Sequence, residues 1–412
     1  MRLEEKLASW LATTSPSSAA AEAALRVLRG PVDWEALLSF SVREGIAAVL
    51  YRNLRAEPYA PRVPAAILGR LRSLYLGNAA RNLHHFRTLE ETLLALDREG
   101  IRAGVLKGPH LATEAYPDPG LRPMGDLDLL VGPGDVLRAS AVLGRLGFAA
   151  AETLPPSAPS AGEYRNSALF NRPDAAPGGV VHLHWHIVNA AFPFPFYRGV
   201  GPGEIWSEMT PWRFRGAPAW VPSPRFLPAF LAEHALKHSF TPLIHLVDLV
   251  QVRRSAHVRA TAEGRPLVDH RPRGGVPPPP GGLHLSDHRS LSNNRGNAPF
   301  GLGDVLAFAE RVASDVLGWE GGGEAASVRK PALDLACRLT ASGWRRPGLC
   351  HVAYLALSVS PSQRIRLLKG LWFPPREMLA RLNGIRTEEV SARHYVRRMG
   401  RGVIWGMRFV KP

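Results

Sequence analysis

The sequence predicts an α+β fold, in which a small sheet of short strands over residues 98–220 is flanked by an N-terminal helical region and a larger C-terminal helical region. Three observations predict it. Apolar residues before residue 97 recur at helical spacing. Short apolar runs bounded by glycine and proline follow, at Ile101–Leu106, Leu127–Val131, Tyr164–Phe170 and Val180–Val188. Helical spacing then resumes from Pro224.

In the first region Leu3, Leu7, Trp10 and Leu11 keep the helical period, and a second amphipathic stretch runs from Asp33 and Trp34 to Leu54 after Pro31. Val63 to Glu99 carries one or two long helices, with Leu68, Leu71, Leu74 and Leu76 near the start and Leu89, Leu93, Leu94 and Leu96 near the end. Gly100 is placed to stop it. The Ile101–Leu106 strand leads through Lys107-Gly108 into a short helix, Leu111–Tyr116, and Pro117–Pro123 is a turn-rich loop. After the Leu127–Val131 strand, Asp135 is placed to cap a helix ending near Leu146, with Gly147 beyond it.

A Pro/Ser/Ala-rich link at 153–162 precedes a hairpin of Tyr164–Phe170 and Val180–Val188, whose turn carries Pro, Asp and Gly. Phe226–Phe240, Leu243–Arg254 and Val305–Leu317 read as helices, followed by Pro331–Thr340, Gln363–Trp372, Arg376–Leu382 and Ser391–Phe409. Composition breaks at 263–303, where four consecutive prolines and many glycines replace any period, as in a flexible insert. The expected organisation is therefore helical at 1–97, an α/β core at 98–220, helical at 221–262, an insert at 263–303 and helical again at 304–412. No internal repeat is present.

With 45% hydrophobic residues over 412, the chain can bury a substantial core, which excludes global disorder. No apolar run reaches the roughly 18 residues of a membrane span, and the opening MRLEEKLASWLATTS lacks the apolar centre of a signal peptide. A cytoplasmic location is expected. Cys337 and Cys350 have no metal-type spacing and suggest no disulfide framework. The net charge of +16 suits attraction to nucleotides, RNA or acidic lipid, or else arginine-rich solvated helix faces. Arg393, Arg397, Arg398, Arg401 and Arg408, interleaved with Tyr395, Val396, Ile404 and Trp405, fit either an anionic surface or a docked terminal helix.

The chemistry concentrates between Leu106 and Val131. Asp126 and Asp128 sit two apart on a strand, so both carboxylates point to one face. They follow a Lys107-Gly108 turn, where glycine admits close approach of the backbone to a phosphate and lysine offers a mobile charge. The amides at the start of the following helix favour an anion. Arg122, in the loop just before the carboxylate strand, is a second phosphate candidate. Paired carboxylates with phosphate oxygens are the coordination Mg²⁺ prefers. The other reading of the pair is a solvent-facing strand end.

Leu106-Lys107-Gly108, Tyr116, Arg122, Met124-Gly125-Asp126-Leu127-Asp128-Leu129-Leu130-Val131, Leu146-Gly147-Phe148 and Leu183-His184-Trp185 occur in this order over residues 100–190. The set resembles the signature of a bacterial family of uncharacterised nucleotidyltransferases, within the polymerase-β-like nucleotidyltransferase superfamily. The resemblance implies a small mixed-sheet nucleotidyltransferase core that moves a nucleoside monophosphate from an NTP to an acceptor. Mg²⁺ would sit on Asp126 and Asp128, with room for two ions, and Lys107, Gly108 and Arg122 would hold the nucleotide. The acceptor is open among a small molecule, a protein and RNA, and the oligomeric state is equally open.

The chain departs from the superfamily pattern at two points. Pro109 follows Gly108 where a serine is usual. The third carboxylate of active members would fall on His182, so His182 and His184 are the candidates to assist the acceptor or the metal. Histidine can act as a base near neutral pH but is a poor ligand for Mg²⁺. A nucleotide- or partner-binding protein without catalysis is therefore an alternative. A further alternative is zinc bound by an HxHxH strand of His182, His184 and His186. His234 and His238, four apart on a helix, could bind metal or nucleotide but more ordinarily form a half-buried face, and Asp248 could line the same cleft or cap a turn.

Overall fold

The computed structural model describes residues 1–151, 166–172, 179–187, 202–262, 302–320, 373, 376, 379–380 and 386–397. Its helices are α1 (Leu3–Trp10), α2 (Ser18–Val27), α3 (Trp34–Arg43), α4 (Ala47–Leu54), α5 (Ala65–Arg98), α6 (Gly108–Glu114), α7 (Val136–Arg145), α8 (Pro202–Ser207), α9 (Phe226–Lys237), α10 (Ile244–Ala262) and α11 (Leu302–Leu317). Its strands are β1 (Gly104–Val105), β2 (Leu127–Leu130), β3 (Ala149–Ala150), β4 (Ser167–Asn171), β5 (Val180–His184), β6 (Met209–Phe214) and β7 (Ala217–Pro222). The insert expected at 263–303 lies outside the described residues except at its last two positions, as do the 153–162 link, both cysteines and most of the helices expected after 330.

The chain forms two compact units. The first takes Met1–Asn82, His110–Pro123 and Ser223–Cys350, and its described residues are helical. Ser17 and Asp33 cap α2 and α3 by accepting from Ala20 N–H and Ala36 N–H, which satisfies amides that the first helical turn leaves free. The stretch expected to run from Asp33 to Leu54 is two helices, because Gly45 takes a φ of 69° between them. The buried Glu44 carboxylate accepts from Leu243 N–H at 2.9 Å, tying that turn to the chain just before α10. Leu7, Leu11, Leu37, Phe40, Leu50 and Leu54 are buried, and Phe240 packs edge-on against Phe308 at 5.6 Å.

The second unit takes Leu83–Pro109, Met124–Pro222 and His351–Pro412 and holds the mixed sheet, with strand order β3-β4-β5-β2-β1-β7-β6. The β2–β5 and β1–β7 pairs are parallel, and the remaining pairs are antiparallel. Four buried residues make up β2, as expected of a strand with neighbours on both sides. In β5, Val181 and Leu183 are buried, while His182 and His184 on the opposite face are half-buried. This alternation places the imidazoles on one face and the apolar residues on the other. The architecture is the expected α+β one, a mixed sheet with helices before and after it.

Of the one or two helices expected over Val63–Glu99 there is one, the 34-residue α5, ended as expected by Gly100 at a φ of 66°. The finer outcome differs in two places. Only Gly104–Val105 of the Ile101–Leu106 run pairs as strand. The β6–β7 hairpin was not expected. It turns through Arg215 at φ 49° and Gly216 at φ 93°, the paired positive values of a tight two-residue turn.

Candidate active site

The site grows from the register of β2 and β5. Parallel pairing sets Asp128 beside His182 and Leu130 beside His184. Backbone bonds hold this frame on either side: Leu106 N–H donates to the Asp128 carbonyl at 3.1 Å, and Val131 N–H to the His184 carbonyl at 2.8 Å. The first of these brings the end of the Leu106-Lys107 segment alongside Asp128.

Three side chains then converge on Asp128. Lys107 Nζ is 3.1 Å from Oδ2, and His184 Nε2 is hydrogen-bonded to Oδ1 at 2.9 Å. His182 Nδ1 is 3.6 Å from Asp128 Oδ1 and 3.8 Å from Asp126 Oδ2, so the two carboxylates do share a face, as their spacing requires. The His182 and His184 rings are 4.1 Å apart between centroids. The other nitrogen of His182, Nε2, is hydrogen-bonded to Ser167 Oγ on β4 at 2.9 Å.

Exposure separates the two carboxylates. The Asp126 side chain is 40% exposed and Asp128 only 8%. Burial by itself pushes the Asp128 carboxyl up. The Lys107 ammonium, the His184 hydrogen bond and the charges of His184 and His182 outweigh burial and hold it well below the usual carboxylate range. Asp128 is thus an anion at any physiological pH, and Asp126 is the more open of the pair.

Gly108 begins α6 immediately after Lys107. A Cβ there would lie 3.2 Å from Met124 Sδ and 3.7 Å from the Asp126 carbonyl oxygen. The turn therefore passes close to the backbone entering the carboxylate strand, and the small residue suits that approach. Lys107, Gly108, Asp126, Asp128, His182 and His184 are brought together.

Arg122 has a different setting. It is buried in the helical unit, where its Nε and Nη2 donate to the two oxygens of Asp248 at 2.9 and 2.8 Å. Tyr116 Oη donates to Asp248 Oδ1 at 2.7 Å. Read from the sequence as a phosphate candidate, this guanidinium is committed to a buried carboxylate. Asp248, expected to line the cleft or cap a turn, accepts from Arg122 and Tyr116 inside the helical unit.

The HxHxH pattern is also redistributed. His186 lies beyond the end of β5, with its N–H directed to the Asn166 carbonyl, while His182 and His184 turn to Asp128. Among the described residues, Asp128, His182 and His184 form a group whose ligand atoms all lie within 4.8 Å of one another. In the helical unit, His234 and His238 are joined by His245, with ring centroids 4.6–5.4 Å apart. Sequence reasoning missed Ser167 entirely. Nothing local marks a serine as the partner of a histidine across a hairpin.

No helix of the described residues is long and apolar enough to cross a membrane. A family profile described as an uncharacterised nucleotidyltransferase matches residues 30–262, more than half of the chain, and every residue gathered at Asp128 falls within that span. No curated protein and no solved structure matches the chain.

Proposed function

The chain belongs to the uncharacterised nucleotidyltransferase family, and from that premise we propose that it moves a nucleoside monophosphate from an NTP to an acceptor hydroxyl. The observation that carries the reading is the convergence of Asp126 and Asp128 with Lys107 and two imidazoles beside a glycine turn. In the reaction an acceptor oxygen bonds to the α-phosphorus, the bond from that phosphorus to the bridging oxygen of the β-phosphate breaks, and pyrophosphate leaves. The acceptor proton passes to a nearby base, for which His182 and His184 are the candidates.

The donor set fits a divalent cation: one carboxylate oxygen and two imidazole nitrogens lie within 4.8 Å of one another, and Asp126 lies 3.8 Å from His182. Asp126 and Asp128 would hold it, and it would supply charge neutralisation at the transferred phosphoryl group. Lys107, on Asp128 Oδ2, would add its positive charge beside the phosphates. The backbone at Gly108 admits the phosphates closely. Arg122 serves the fold in this reading, not the nucleotide.

The test is binding of each of the four NTPs with and without divalent metal, alongside pyrophosphate release, comparing wild type with the Asp126→Asn/Asp128→Asn double variant. Metal-dependent binding and release that vanish in the variant are expected; equal behaviour of the two proteins sinks the reading. A second reading, nucleotide binding without transfer, is favoured by one observation: an imidazole, His182, lies beside Asp128 where the resemblance places a third carboxylate. Binding with no pyrophosphate release from any NTP would select it.

A further inference from the structure

We propose that the site prefers a divalent transition-metal ion, with Zn²⁺ as the redox-inert case, over Mg²⁺. The ion would be held by Asp128, His182 and His184. The inference deepens the transfer reading by naming the ion class of the same site. It rests on that reading for the ion's role but not for its binding, and with both imidazoles on the ion the acceptor proton would pass to water instead of to His182 or His184.

The donor chemistry carries the argument. Mg²⁺ demands oxygen ligands in near-octahedral order and gives up water reluctantly, whereas imidazole nitrogen suits zinc and its neighbours. Two of the three atoms within 4.8 Å of one another here are imidazole nitrogens. His182 and His184 are two apart on β5 and so project from one face, and the register with β2 sets both against Asp128. The 2.9 Å from His184 Nε2 to Asp128 Oδ1 and the 3.6 Å from His182 Nδ1 to the same oxygen are close to the spacing between ligands of one tetrahedral ion. Asp126 Oδ2, 3.8 Å from His182 Nδ1, is the more exposed carboxylate beside this group.

Ser167 supplies the second observation. Metal-bound histidines characteristically give their other ring N–H to a hydrogen-bond acceptor, which selects the tautomer and fixes the ring. His182 Nε2 lies 2.9 Å from Ser167 Oγ, while Nδ1 faces both carboxylates. With the Nε2 proton donated to the serine, Nδ1 is the bare nitrogen aimed at the cation. Lys107 stays on Asp128 Oδ2, so Asp128 offers the ion a single oxygen, Oδ1.

The experiment uses the full chain freed of metal, titrated with Zn²⁺ and Mg²⁺ against a chromophoric chelator in the absence of nucleotide. Co²⁺ serves as an absorbance probe of imidazole ligation. One Zn²⁺ per chain, bound about 100-fold or more tighter than Mg²⁺, is expected. His182→Asp should narrow that gap by raising Mg²⁺ affinity, and Ser167→Ala, which leaves every ligand in place, should weaken Zn²⁺ about 10-fold. Circular dichroism of each variant verifies the fold, and the mild Ser167→Ala change keeps the test decisive if His182→Asp fails to fold. Mg²⁺ affinity equal to that of Zn²⁺ overturns the proposal. So does Zn²⁺ binding unchanged by Ser167→Ala and His184→Ala, which would place the ion elsewhere. Tight Zn²⁺ at this site with no pyrophosphate release under any metal sinks the transfer reading alone. Release supported by Mg²⁺ without Zn²⁺ binding sinks this inference alone.

Discussion

Asp128 and His182 lie side by side in register on the parallel strands β2 and β5, with His182 Nδ1 3.6 Å from Asp128 Oδ1. Around the buried Asp128 carboxylate stand one lysine and two imidazoles, with the Asp126 carboxylate beside His182.

The two aspartates should separate when changed singly. Asp126→Asn alters an open side chain and should shift stability by less than about 0.5 kcal/mol. Asp128→Asn strips the half-enclosed Lys107 of its partner and should cost about 1–3 kcal/mol. Both should lose metal-dependent pyrophosphate release. Urea unfolding beside the release assay checks the pair; equal stability losses would contradict the ion pair with Lys107.

Acid should expose the same pairing. The folded Asp128 carboxyl titrates below its ordinary range, so the unfolded chain takes up the proton first as pH falls. Its contribution is therefore complete above the ordinary carboxylate pKa of about 3.9 and is lost as pH drops towards the depressed folded value. The stability difference between wild type and Asp128→Asn should hold steady from neutrality to about pH 5 and shrink below about pH 4. Chemical denaturation across that range measures it, and a difference that is already collapsing at pH 6 would refute the assignment.

Arg122 and Asp248 form a two-bond pair 126 residues apart in sequence, both buried. Asp248→Ala leaves the guanidinium without its carboxylate and should cost about 3–5 kcal/mol. Arg122→Met/Asp248→Leu, which removes both charges, should recover most of that. Arg122→Lys keeps the charge but loses the fork. If it weakens NTP binding with no loss of stability, the arginine belongs to the nucleotide after all.

Tyr116 gives an alkaline counterpart. Burial first, then the Asp248 charge, raises its hydroxyl well above the ordinary value, against a smaller lowering by Arg122. A folded pKa above the unfolded one means the unfolded chain loses its proton first, so stability falls as pH rises past about 10. Tyr116→Phe should flatten that decline while costing about 1 kcal/mol at neutral pH for the lost hydrogen bond. Thermal unfolding at pH 8 and pH 11 compares the two.

The parts of this molecule legible in the sequence are those with local signals. The spacing of Asp126 and Asp128 already implied a shared face, Gly100 and Gly147 lie at the helix ends where they were expected, and both take positive φ. The β6–β7 hairpin carried no such signal. Its turn uses Arg215-Gly216 instead of an asparagine or aspartate before glycine, and Pro211, Pro218 and Pro222 interrupt the strand pattern. It is tolerated because β6 is the last strand in the order and β7 meets β1 only at Trp220. The partners of His182 and Arg122 were hidden for another reason. Ser167 and Asp248 act across 15 and 126 residues, and pairings at such range follow from tertiary register, which no window of sequence contains.

The ion pair of Lys107 with Asp128 separates cofactor from folding. A buried carboxylate that already has an internal cation does not need an external one to be tolerated in the core. The protein should consequently differ from small metal-dependent domains, which collapse when stripped. Chelation ought to silence it reversibly, with no change in far-ultraviolet circular dichroism and full recovery on reloading. In a cell, that would make its activity a readout of metal supply, while its abundance stays indifferent to it.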